Sequence, residues 1–385
     1  MRTSRRSDVA PFIVMDVMEA ARREEESGRH IIHMEVGQPG TGAPQKAVEA
    51  LTEAMDAGSL GYTVALGLPE LRQRIAQLYL DWYGVEVSPE RVVVTAGSSA
   101  AFQLAFISLF DAGDKVAIGD PGYPSYRNIL KALDIEVVDV ETTLGARFQP
   151  TVADLAAVSD LAGLLVASPA NPTGTMLGKE ELEALVRYCE RNDMAFVSDE
   201  IYHGIEYGKK AVTALEISDD VYVINSFSKY FSMTGWRIGW MIVPEDHVRH
   251  LERLMQNLFI CAPHASQIAA LAALDAPEEL EGNLALYEKN RELLLKELPG
   301  AGFDKIAPPD GAFYIYADVS DLTDDSVELA KQILIEAGVA VTPGLDFDPK
   351  RGNTTLRFSY ARSTEDIVEG VRRLKNWMAD RKKAP

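Results

Sequence analysis

Between Val92 and Val243 the chain alternates short, almost unbroken apolar runs with longer stretches whose apolar residues recur at helical spacing. The runs are Val92–Thr95, Lys115–Ile118, Glu136–Val140, Leu164–Ala167, Ala195–Ser198, Val221–Asn225 and Arg237–Val243. In one of the intervening stretches, Glu180–Asn192, the residues Leu182, Leu185, Val186 and Cys189 share a helical face. A strand that is apolar at consecutive positions must be covered on both faces, which is the condition of a mostly parallel sheet with helices on each side. The pattern therefore predicts an α/β domain. No repeat period, low-complexity tract or Pro/Ser-rich linker interrupts it.

After Leu286 the texture changes. A charged helix around Tyr287–Leu298 leads to strands near Ala312–Ala317, Ala340–Val341 and Thr355–Tyr360, with helices near Ser326–Ala337 and Thr364–Ala379. This reads as a smaller α+β domain. The N-terminal segment has no sheet partner nearby in sequence and is expected to pack on it. The expected division is a large domain over 46–285 and a small one over 1–45 and 286–385, in keeping with two or three domains for 385 residues.

Charge and cysteine count limit the partners. With 58 acidic against 38 basic residues the formal charge is −20, a field that repels phosphate backbones and argues against nucleic acid. An anionic small ligand would need a local cluster of donors. Cys189 and Cys261 are the two cysteines, too few for a disulfide framework or a cysteine zinc site, and the six histidines form no metal-ligand spacing. A reducing cytoplasm is the expected setting. The basic start is interrupted by Asp16 too early for a signal peptide. The uncharged run Val92–Phe110 carries Gly97, Ser98, Ser99, Gln103 and Ser108, so it reads as strand, turn and helix rather than a membrane span.

Several common signatures fail. No GxGxxG follows a strand, and the stretch Gly174–Glu180 has the wrong spacing for a phosphate loop, with Glu180 where Ser or Thr is needed. There is no HExxH, and Gly97-Ser98-Ser99-Ala100-Ala101 lacks the second glycine of a nucleophile elbow.

The informative stretch is SFSKYFSMTGWRIG, Ser226 to Gly239. A lone lysine in a loop is ordinarily a solvated charge. Lys229, however, follows an apolar strand beside the hydroxyls of Ser226 and Ser228, with a cation at Arg237. A strand-end amine beside a fixed guanidinium has a lowered pKa and can form a Schiff base. Ser226 and Arg237 together could grip a phosphate.

This stretch resembles the lysine-attachment segment of the class I/II aminotransferases, the aspartate aminotransferase-like enzymes of fold type I that use pyridoxal 5'-phosphate. Every restricted position of that pattern is met. The resemblance makes Lys229 the cofactor lysine and Arg237 the phosphate-binding arginine, with Ser226 beside it. Further segments follow in the family's order over almost the whole chain. Asn171-Pro172-Thr173-Gly174, otherwise an ordinary turn, resembles the segment whose asparagine meets the cofactor's phenolic oxygen and the substrate. Asp199, otherwise a helix cap, matches the partner of the ring nitrogen, and Tyr202 would join Asn171 at the phenolic oxygen. Ser98 and Ser99, at a helix start suited to an anion, would bind the phosphate. Tyr123, otherwise a core tyrosine, would stack on the cofactor. The resemblance also implies cis bonds before Pro121 and Pro172.

Three more positions complete the set. Tyr62, in Gly61-Tyr62-Thr63 before Gly67-Leu-Pro-Glu-Leu-Arg72, matches a tyrosine that reaches the phosphate of a neighbouring subunit, implying a homodimer with shared active sites. Arg357, otherwise a solubilising charge, matches the arginine that clamps the substrate α-carboxylate, and Gly37 matches a glycine lining the substrate pocket. The implied activity is a two-step exchange of an amino group between an L-amino acid and a 2-oxo acid, with Lys229, Asp199 and Tyr202 in the chemistry. A carbon–sulfur β-lyase shares these contacts. A transcription regulator with such a domain would need an N-terminal DNA-binding domain, and about 30 residues precede the first matching segment, while the complete residue set argues against a non-catalytic cofactor-binding protein. One subgroup that accepts aspartate and prephenate places a lysine where Ser99 stands here, so a neutral or aromatic donor is expected over aspartate.

Overall fold

A computed structural model of the chain describes residues 1–381. The seven apolar runs form one seven-stranded sheet: β1 (Val92–Thr95), β2 (Lys115–Asp120), β3 (Glu136–Glu141), β4 (Leu161–Ala167), β5 (Ala195–Asp199), β6 (Tyr222–Ser226) and β7 (Gly239–Ile242). Their order is β1-β7-β6-β5-β4-β2-β3. β7 runs antiparallel to both of its neighbours, and every other pair is parallel.

Alternate residues of the inner strands enter different cores, which explains why most of the runs are nearly continuously apolar, whereas the edge strand β3 carries Glu136, Asp139 and Glu141. Val92, Val94, Ala117, Leu164, Val166, Phe196, Val223 and Trp240 belong to one buried cluster. Their immediate neighbours Val93, Val116, Ile118, Leu165, Val197, Ile224 and Met241 belong to the other. Side chains alternate across a strand, so a polar residue at any of these positions would be buried on one face or the other.

The last strand starts later than its sequence suggests. Arg237 was expected to open it, but it sits in left-handed backbone (φ 51°) after the 3₁₀ turn Thr234–Trp236, and pairing begins at Gly239 opposite Ser226. The charged helix also starts earlier. It runs unbroken over Pro277–Glu297 with a proline in its first turn, and it buries Leu280, Tyr287, Asn290 and Leu294 at near-heptad spacing.

The C-terminal third folds around a four-stranded antiparallel sheet in the order Thr342–Pro343, Thr355–Ser359, Tyr314–Asp318, Lys305–Ile306. The N-terminal segment joins it. Ile32–His33 pairs in parallel with Val339–Ala340, and the carbonyls of Met34 and Glu35 accept from Ser359 N–H and the Thr342 hydroxyl. We keep the division between 46–285 and 1–45 plus 286–385 as a proposal. Every strand of the large sheet falls in the first part and every other strand in the second, although the helix Pro277–Glu297 crosses the boundary. Among the described residues no helix is long and apolar enough to cross a membrane.

Candidate active site

The parallel strands of the large sheet all end at one edge, and the segments that follow β1, β2, β4, β5 and β6 meet in a crevice there, where such sheets bind ligands. β7 runs the other way, so Arg237, two residues before its start, reaches the same edge. The resulting cavity has a volume of about 190 Å³, and its walls include Gly37, Ser98, Ser99, Tyr123, Asn171, Asp199, Tyr202, Lys229, Arg237 and Arg357. Ten of the twelve residues singled out from sequence therefore share one cavity.

One end is built to receive an anion. After β1, Gly97 (φ 78°) turns the chain into the helix Ser98–Leu109, whose first N–H groups have no carbonyl within the helix to bond. The Arg237 guanidinium lies directly against this turn, where a Cβ on Gly97 would stand 2.5 Å from Nη2. Any side chain at position 97 would displace the arginine. Arg237 Nη1 donates to the Thr234 carbonyl at 3.0 Å, which fixes its direction.

The centre holds a part-buried lysine and a buried carboxylate. Lys229, in the turn after β6, donates from Nζ to the Gly37 carbonyl at 2.6 Å. Burial, with Arg357 next in weight, pulls its pKa down to about 7 against the opposing pull of Asp199. The sequence reading had credited the neighbouring Arg237, which contributes least of these. Asp199, the last residue of β5, accepts from Ile201 N–H at 3.0 Å and from the Tyr126 hydroxyl. Burial raises its pKa to about 6, more than these hydrogen bonds and the Lys229 charge lower it.

The other end presents Arg357. Its Nη1 donates to Asn171 Oδ1 at 2.8 Å, and its Nη2 donates to the Glu35 carbonyl and to Thr342 Oγ1. The Tyr314 and Phe347 rings lie 4.4 and 4.6 Å from the guanidinium carbon, so its plane is fixed. Its Nε is buried without a hydrogen-bond partner among the described residues. Tyr202 shares a 2.7 Å hydrogen bond with the Tyr314 hydroxyl. Gly37 leaves room for that tyrosine, because a Cβ there would lie 1.9 Å from its oxygen.

Two expected residues lie elsewhere. Ser226 is buried behind the cavity wall. Its hydroxyl donates to the Ile238 carbonyl at 3.1 Å and shares a 2.9 Å bond with the Ser228 hydroxyl, and it is Ser228 that lines the cavity. Two residues along a turn are enough to exchange wall for interior. Tyr62 is 81% exposed and outside the cavity. The bonds before Pro121 and Pro172 are both cis, as is Ser168–Pro169, which the sequence reading did not include.

Residues not singled out also take part. Tyr126, which holds Asp199, lies one helical turn beyond Tyr123 in the helix Pro124–Ala132, a spacing that could have suggested it. Tyr314 and the N-terminal trio Phe12, Val14 and Met15, all on the cavity wall, carry no local signal.

A family model for aminotransferase class I and II matches residues 29–374. The chain is 47% identical over 382 residues to a valine–pyruvate aminotransferase of Mycobacterium tuberculosis, covering 98% of each chain. A solved structure from Silicibacter pomeroyi, assigned to the aminotransferases, is 64% identical with a TM-score of 0.94, covering 99% of this chain and all of that one. The aspartate aminotransferase of Thermus thermophilus solved with maleate is 32% identical with a TM-score of 0.91, covering 98% and 100%.

Proposed function

The chain belongs to the class I and II aminotransferases, and on that premise we propose that it binds pyridoxal phosphate in the cavity around Lys229 and takes a neutral L-amino acid, valine first, as donor with pyruvate as acceptor. That it exchanges amino groups between an amino acid and a 2-oxo acid follows from the family and the relatives. The observation that carries the fuller reading is the arrangement of one cavity: a part-buried amine whose pKa is pulled down to about 7, a buried carboxylate, and separate guanidinium groups at Arg237 and Arg357.

The donor set fits the cofactor. Pyridoxal phosphate, when bound, supplies an aldehyde that links to amines and a ring that draws electrons from the substrate Cα. The helix start at Ser98 and Ser99, with Ser228 and Arg237, suits a phosphate dianion. Asp199 would hold a proton at the ring nitrogen, and Tyr126 and Ile201 N–H keep its carboxylate aimed. Tyr123 would lie on the ring, and Asn171 and Tyr202 would face its phenolic oxygen. Lys229 would anchor the cofactor and then carry the proton to and from the substrate Cα, a task suited to an amine that is neutral near pH 7. Arg357 would bind both oxygens of the α-carboxylate through its fixed plane.

Substrate choice is read from the remaining wall. The cations lining the cavity are Lys229, Arg237 and Arg357, each already given a task, while Phe12, Val14, Met15, Val36 and Ile201 supply apolar surface. Ser99 brings a hydroxyl and no charge to a second carboxylate. Hydrogen bonds to charged partners contribute about 1.5–3 kcal/mol, so aspartate should be disfavoured roughly ten- to a hundredfold. Measuring kcat/KM for valine, alanine, phenylalanine, methionine and aspartate with pyruvate tests this. A preference for aspartate would mean that another cation serves the site.

We also propose a cytoplasmic homodimer. Its shared site rests on the exposed Tyr62, which would reach the phosphate bound by the partner protomer. Mixing Tyr62→Phe protomers with an excess of Lys229→Ala protomers should raise activity per Lys229 above that of the Tyr62→Phe parent, since each hybrid keeps one site with both groups. A fully active monomer would refute the arrangement.

A further inference from the structure

The helix Ile13–Glu26 begins without a cap of its own. Phe12 stands at its N-cap position, where an apolar side chain offers no acceptor to the free N–H groups of the first turn. The acceptor comes from a residue 333 positions away. Asp346 Oδ1 receives the Ile13 N–H at 2.8 Å and Oδ2 the Val14 N–H at 3.3 Å, and the carboxylate is 4% exposed. A negative group at a helix N-terminus is also favoured by the helix dipole.

The residues held this way reach the cavity. Phe12, Val14 and Met15 line the cavity that contains Lys229 and Arg357. The residue after Asp346 is Phe347, whose ring lies against the Arg357 guanidinium. Both belong to one tight segment in which Phe347 N–H returns to the Gly344 carbonyl at 2.9 Å. The seat for the α-carboxylate and the wall beyond it are therefore referenced to the same turn.

We propose that Asp346 is a positioning residue for substrate choice: by capping the helix that starts at Ile13, it holds Phe12, Val14 and Met15 as the wall that a neutral side chain meets. This rests on the reading that Arg357 takes the α-carboxylate. The carboxylate itself touches no reacting group. It sets the distance between a fixed anion seat and an apolar surface, and so the size of side chain that fills the gap. One methylene in such a pocket is worth about tenfold in discrimination or more when the wall is held firmly.

The test compares donors rather than absolute rates, in the cofactor-loaded enzyme. Asp346→Ala should lower the ratio of kcat/KM for valine to that for alanine, two carbons shorter, by roughly tenfold. The loss should appear as a raised KM for valine rather than as a lowered kcat. Asp346→Asn keeps an acceptor for the Ile13 N–H and should retain most of the ratio. Ile13→Pro removes the same hydrogen bond from the donor side at a helix position that tolerates proline, and should reproduce the alanine variant. An unchanged ratio in Asp346→Ala and Ile13→Pro overturns the proposal, as does an equal loss toward every donor, which would mark a merely structural role. The wild-type donor panel judges the proposed substrate class separately. Should another donor prove best, the same ratio is taken between it and alanine.

Discussion

Lys229→Ala is expected to abolish turnover, by roughly 10⁴-fold or more, because one side chain is asked both to anchor the cofactor and to move the α-proton. The fold should survive. The amine is withdrawn from solvent far enough that its charged form is disfavoured, so removing it also removes a desolvated group. The variant should therefore keep its thermal unfolding midpoint while losing the visible absorbance that accompanies the lysine–cofactor linkage. An unaltered spectrum would show that another group holds the cofactor. The wild-type amine also sets a pH dependence. Since burial pulls its pKa from 10.5 to about 7, the neutral form grows as pH rises through 7. The rate at which apoprotein takes up pyridoxal phosphate should rise over that interval and level off above it, well below the range of a solvated lysine.

Much of this was legible because the relevant signals are local. The seven strands announce themselves through runs such as Val92–Thr95, where consecutive residues enter two different cores. Asp199 ends such a strand, and Lys229, Asn171 and Ser98 follow the ends of others within a few residues, so placing the strands nearly places the site. What escaped is held by contacts between distant parts of the chain. Nothing near Phe12 indicates that its helix is capped by Asp346, and nothing near Tyr314 indicates that its hydroxyl fills the space left by Gly37. Arg237 was misread for a related reason. The run Arg237–Val243 looks like a continuous strand, and the left-handed turn at its first residue becomes intelligible once the arginine is seen packed on Gly97. Ser226 and Ser228 differ in sequence surroundings by almost nothing, yet the turn after β6 puts one inside and the other on the wall.

Asp199→Asn should separate catalysis from folding most cleanly. Asparagine has nearly the same shape, its oxygen can still accept from Ile201 N–H, and its amide can donate to the Tyr126 hydroxyl. What disappears is the charge that would keep a ring nitrogen protonated. The loss of one preorganised electrostatic contact in a buried site costs about 10²–10³ in kcat, and this contact faces the charge that the reaction develops. Stability should move the other way. In the folded apoprotein the Asp199 pKa is raised from 3.8 to about 6, so the native state binds this proton more tightly than the unfolded state does. Its contribution to stability is therefore present below about 4 and is lost as pH rises through 6, which leaves an ionised carboxylate disfavoured by burial at pH 7. The asparagine variant has no such group to ionise. Its apoprotein should melt no lower than wild type at pH 7 and should lack this part of the slope between pH 4 and 6. Thermal melts of both apoproteins across that interval, beside kcat for valine, check the pair of expectations. A variant that loses activity only in proportion to a lowered melting point would show that Asp199 supports the fold rather than the chemistry.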